Sequence, residues 1–151
     1  MKNLIAGAIL LLATQVSAQS RELPDLVTQP TPQAVIDEHL DALNVCDWDR
    51  LMAQYPADAE VHLDNGTVVV GREAIGDLFA GFCQLPEDGG LIGITFSTER
   101  SFLVGNTLNV QWVANAPFLA EPYRGSDAYV TRDGLMAAMV STFRGSDLKM
   151  K

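Results

Sequence analysis

Few of the residues that mark a known chemistry occur in this 151-residue chain. It has only two Cys and two His, and 7% of its residues are aromatic. It carries no glycine-rich phosphate loop, no zinc-type Cys/His cluster and no nucleophile elbow. Basic residues are also scarce, 10 against 19 acidic, giving a formal net charge of −9. A surface of that sign repels a polyanion, so nucleic acid is excluded as a partner. The longest apolar run, Leu4 to Ala13, is too short to span a bilayer. What is present is ordinary for a globular domain. With 48% hydrophobic and 19% charged residues the chain is neither disordered nor fibrous, and its length suits one domain.

The first residues read as an export signal. Met1-Lys2-Asn3 supplies a positive start, Leu4 to Ala13 an apolar stretch, and Val16-Ser17-Ala18 small residues at the two positions that signal peptidase reads. The expected division is a signal peptide over 1–18, an extended lead-in over 19–30, one domain over 31–144 and a tail over 145–151. The mature protein is expected to be secreted or periplasmic, with no membrane association once the signal is removed. In an oxidising compartment Cys46 and Cys83 form a single candidate pair. Two readings of them stand, a disulfide or two buried free thiols.

Along the mature chain, Thr31-Pro32 opens a helix, because Thr caps and Pro at the first helical position loses no hydrogen bond. That helix runs to about Asn44, with Val35, Ile36, His39, Leu40 and Leu43 on one stripe. Asp47 caps a second helix expected over Trp48 to Tyr55, which Pro56 stops. Glu60 to Asp64 alternates as a strand, Asn65-Gly66 turns, and Thr67 to Val70 returns. Arg72 to Phe82 is a third helix. Strands are then expected over Ile92 to Val104, Thr107 to Ala116, Gly125 to Thr131 and Leu135 to Phe143. Helices first and strands later predict an α+β domain with helices on one face of an antiparallel sheet.

Leu43-Asn44-Val45-Cys46-Asp47-Trp48-Asp49, followed by Tyr55-Pro56-Ala57-Asp58-Ala59-Glu60-Val61 and Gly71-Arg72-Glu73-Ala74-Ile75, resembles the SnoaL-like branch of the NTF2-like superfamily. The resemblance covers residues 31–144. It implies a cone: about three N-terminal helices packed in a strongly curved sheet around one pocket. It implies no single activity, since relatives include isomerases, dehydratases, cyclases and non-catalytic modules. Laid on the ketosteroid isomerases, the oxyanion-donating Tyr falls on His39 and the oxyanion-hole Asp on Asp127. Their general-base Asp falls on Leu63, which cannot accept a proton.

Each candidate residue has a plainer alternative. His39 is either a core histidine satisfied by a backbone group or a pocket donor and acid–base group. Asp127 either faces solvent or sits buried in phase with Tyr129, where desolvation pushes a carboxyl toward its neutral form. In a shared cavity the two are expected to perturb each other, with an ion pair or a neutral Asp127 as the outcomes. Trp48, Leu63, Trp112, Tyr129 and Met139 are the expected ligand-binding residues, plain core packing being the alternative. His62 and Asp64 share one strand face with Glu60, and nothing else in the chain supplies a further metal ligand at suitable spacing, so no metal or cofactor is expected. Three functional classes follow: a pocket protein for a small apolar molecule, a metal-independent lyase or isomerase using His39 and Asp127, and a non-catalytic homodimer formed through the sheet.

Overall fold

The computed structural model describes residues 21–151; the expected signal peptide lies outside them. Three helices, α1 (Pro32–Asn44), α2 (Trp48–Met52) and α3 (Arg72–Phe82), pack on a six-stranded sheet. The strands are β1 (Glu60–His62), β2 (Val68–Val70), β3 (Thr95–Val104), β4 (Thr107–Asn115), β5 (Tyr123–Arg132) and β6 (Leu135–Val140). Their order is β2-β1-β6-β5-β4-β3, and the sheet does not close into a barrel.

Local chemistry sets most boundaries. The Thr31 hydroxyl accepts from the Ala34 amide at the start of α1, and the Asp47 carboxylate accepts from the Arg50 amide at the start of α2. Asp133 and Gly134 both take positive φ, 53° and 76°, so β5 turns directly into β6 with Arg132 opposite Leu135. A bulge between Thr98 and Arg100 bends the edge strand β3.

Several expectations are corrected. α2 ends at Met52 rather than Tyr55, because a residue before proline is driven out of the helical region. β1 stops at His62, where the Thr67 carbonyl takes the Leu63 amide and closes the turn. β3 begins at Thr95, after a turn in which Gly93 takes φ 93°, and β5 starts two residues early at Tyr123. The sheet is mixed, because β1 pairs parallel with β6, Val61 opposite Met139, while all other neighbours are antiparallel. Residues 141–143 leave the sheet, and the tail docks, with the Ala120 amide donating to the Lys149 carbonyl at 2.7 Å.

The core lies between the helices and the inner sheet face. Val35, Ile36, Tyr55, Val61, Ile75, Val110 and Met136 are fully buried there, each removing apolar surface worth roughly 1.5–3 kcal/mol for a large aliphatic side chain. Cys46 and Cys83 form a disulfide, Cα to Cα 5.8 Å, tying the α1–α2 turn to the end of α3.

Candidate functional site

α1 carries His39 inward between Val35 and Leu43, and all three face the sheet because residues four apart share one helix face. On β5, Asp127 lies opposite Val110 of β4, and Tyr129 opposite Leu108 and Met139. Period-two alternation points Asp127 and Tyr129 to the same side, toward α1. α3 contributes Leu78, Phe79 and Phe82, and the segment after β6 contributes Ser141 and Phe143. Together these enclose a cavity of about 120 Å³ that His39, Leu63, Asp127, Tyr129 and Met139 all line. Its floor is buried, whereas Leu63, Leu78, Phe82 and Phe143 at the rim are half-buried.

His39 is 0% exposed. Phe79 and Tyr129 each stand 5.7 Å from it, centroid to centroid. Its Nδ1 lies 3.4 Å from the Tyr55 hydroxyl, and its Nε2 is buried without a partner among the described residues. Burial alone pushes its pKa from 6.5 down to about 4, so the ring is neutral at physiological pH.

Asp127 is better supplied. One carboxylate oxygen accepts from the Thr142 amide at 2.8 Å and the other from the Tyr129 hydroxyl at 3.3 Å. Burial raises its pKa, and the Thr142 amide, Ser141, Trp112 and Tyr129 oppose that rise without cancelling it. The Trp112 indole N–H itself is buried without a hydrogen-bond partner among the described residues. Burial holds both Tyr55 and Tyr129 protonated, and the Asp127 charge reinforces this. His39 and Asp127 share the cavity, yet no hydrogen bond joins them; Tyr129 packs on the first and donates to the second.

The two tryptophans expected in the pocket do not line it. Trp48 donates its indole N–H to the Gly76 carbonyl at 2.9 Å and locks α2 onto α3, with Arg21 over its outer side. Trp112 is buried behind the wall, edge-on to Phe96 and tilted against Phe143 and Tyr123. Tyr55 and Ser141 are the functional groups that the sequence did not single out. Tyr55 belongs to no periodic stripe, and only its place in the motif before Pro56 marked it.

Elsewhere, a wider crease of about 460 Å³ runs along Leu23 and the start of α3, where Arg72 Nη2 donates to the Pro24 and Met52 carbonyls and Arg72 Nε is buried without a partner among the described residues. His62 pairs with Glu60 at 2.8 Å on the outer face. Among the described residues no three His, Cys, Asp or Glu side chains gather as metal ligands, and no helix is long and apolar enough to cross a membrane.

The SnoaL-like domain family matches residues 36–139. The chain belongs to that family. No sequence among the curated proteins matches it. Among solved structures it is similar to an NTF2-like protein from Cytophaga hutchinsonii, with 13% identity over 83% of this chain and 95% of the other, TM-score 0.59. It is similar also to a protein of ketosteroid isomerase-like fold from Catenulispora acidiphila in complex with trimethylamine, with 16% identity over 78% and 90%, TM-score 0.59. A computationally designed 17-OHP binder shares 15% identity over 82% and 98%, TM-score 0.64. These likenesses establish the NTF2-like α+β cone of this SnoaL-like domain.

Proposed function

We propose that this SnoaL-like domain is an exported pocket protein that binds a small apolar molecule between α1, α3 and the sheet. One observation carries the reading. His39 lines an apolar cavity, and its Nε2 is buried with no partner among the described residues, although buried polar groups are nearly always paired. Leaving such a group unpaired costs about 1–3 kcal/mol. The relatives that hold trimethylamine or 17-OHP support small-molecule binding as a use of this fold.

Proton transfer is the second reading. It rests on burial pushing the two acid–base groups of one cavity in opposite directions, His39 down and Asp127 up. His39 and Asp127 would then polarise a ligand oxygen. Leu63, where the isomerases carry their base, leaves the proton acceptor to another group or to water.

The test is mass spectrometry of protein collected from the exported fraction. The intact mass is expected to begin near Gln19, and the denatured extract to contain an apolar compound that is depleted in His39→Phe. A chain still carrying residues 1–18 would overturn export. An empty extract, with no thermal stabilisation by a panel of apolar compounds, would overturn binding.

A further inference from the structure

The rim of the cavity is built from two directions. Leu78 and Phe82 come from α3, while Leu63 lies just past β1 and Phe143 just past β6. β1 and β6 are parallel neighbours, so the two segments leave the sheet at the same end. The residues that follow are joined there: Arg144 Nε donates to the Asp64 carboxylate at 2.6 Å. Phe143 leans toward α3, its ring centroid 6.0 Å from those of both Phe82 and Phe96. Rings at that separation are in contact, so a molecule of one ring's width cannot pass between them. One side of the rim must move to admit it.

The α3 side and Leu63 are pinned. The Trp48 indole donates to the Gly76 carbonyl in the middle of α3, and the Cys46–Cys83 bond holds the helix one residue past Phe82. Leu63 sits in a closed turn, its amide on the Thr67 carbonyl and its own carbonyl accepting from Gly66. Phe143 belongs instead to a span slung between two anchors. Before it, the Thr142 amide donates to Asp127 and the Thr142 hydroxyl to the Ser126 carbonyl. After it, the Lys149 carbonyl accepts from Ala120. In between, residues 144–147 are exposed, and the Phe143 amide only turns back onto the Ser141 hydroxyl of its own segment. Two contacts hold the span to its surroundings at Arg144: its amide on the Tyr123 hydroxyl at 3.2 Å, and its side chain on Asp64.

We infer that residues 143–148 are the gate of the cavity, with Phe143 as the leaf that swings out to admit a ligand and the Arg144–Asp64 ion pair as its latch. This rests on the pocket reading above and adds how the pocket is entered. A latch made in the closed state and broken in the open one opposes entry and exit alike, so it slows exchange without changing affinity. Both ends of this pair reach solvent, so salt weakens it.

The test measures exchange of benzene, a probe suited to an apolar cavity of about this size, by NMR exchange spectroscopy on the disulfide-intact protein. Asp64→Asn and Arg144→Gln should each speed association and dissociation together by about 1.5-fold to fivefold, the range of a surface ion pair, with the dissociation constant unchanged. The double variant should go no further than either single one, because each removes the same contact. Sodium chloride should speed dissociation from the parent but not from Asp64→Asn, and the parent's response needs no variant. Asp58→Asn is the control: it breaks the Arg132–Asp58 pair, also 2.6 Å long but outside the cavity lining, and should leave exchange as in the parent. Parent rates in both latch variants, indifference of the parent to salt, equal acceleration by Asp58→Asn, or a change in one rate alone would each overturn the gate and leave the pocket reading intact. Failure of benzene to bind the parent would overturn the pocket reading, and the gate with it.

Discussion

The Tyr55 hydroxyl stands 3.4 Å from His39 Nδ1, and neither ring reaches solvent. A histidine in that position resists protonation, because an imidazolium there would have neither water nor a carboxylate in contact with it. The fold is thereby tied to acidity.

Stability should fall as the pH drops from 6.5 toward 4. In that window the unfolded chain binds a proton at His39 and the folded chain does not, so acid favours unfolding. The full effect is roughly 3 kcal/mol by the linkage relation. Asp127 acts with the opposite sign: its carboxyl is raised in the fold, so its contribution is present at low pH and fades as the pH rises through the folded value. Urea unfolding at intervals between pH 4 and 7 measures the slope. His39→Phe should flatten it, and an unchanged slope would remove His39 as its source.

Breaking the Cys46–Cys83 bond should cost about 3–4 kcal/mol by the chain-entropy relation for a sequence separation of 37. The bond also joins the two helices that carry one wall of the cavity, Leu43 on α1 and Phe79 and Phe82 on α3. The Cys46→Ser/Cys83→Ser protein should therefore unfold at lower urea and bind apolar probes more weakly. A denatured, non-reduced sample of the parent should show no free thiol.

The elements that could be read from the sequence were those with local causes. Thr31-Pro32 and Asp47 start helices through hydrogen bonds within three residues, and Asp133-Gly134 turns a hairpin through its own backbone preference. The family resemblance then supplied the cone and the inward side of Asp127, helix periodicity placed His39 inward, and strand parity put Tyr129 on the same side as Asp127. The parallel joint of β1 to β6 escaped because residues 60–62 and 138–140 carry no mutual signal. Trp48 and Trp112 were misplaced for a different reason. A tryptophan that lines a cavity and one that backs its wall look alike along the chain, and only the partners Gly76 and Phe143 separate them from the pocket.

Gly125→Ala should destabilise by about 1–3 kcal/mol, the usual penalty of overpacking. A Cβ at Gly125 would lie 2.5 Å from the Trp112 ring, which is itself held by Phe96, Tyr123 and Phe143. Gly81→Ala is the matched control: nothing lies within 4 Å of its added carbon, and a helical glycine replaced by alanine gains up to about 1 kcal/mol. Urea midpoints of the two variants should move in opposite directions, and near-ultraviolet circular dichroism should change only for Gly125→Ala.

Asp127→Asn should leave the titration of His39 nearly where it is. The two residues line one cavity, but the depression of His39 traces to burial alone, and Asp127 spends its oxygens on Thr142 and Tyr129. Were the carboxylate attracting an imidazolium, its removal would lower the His39 midpoint further, because an opposite charge within about 4–6 Å favours the charged form. The expected midpoints in parent and variant therefore agree within about 0.5, read from the ring proton shifts as the pH is lowered. A drop of a full unit in Asp127→Asn would reveal a direct charge pair, and the second reading, proton transfer on a ligand by His39 and Asp127 together, would gain the coupling that the geometry does not give it.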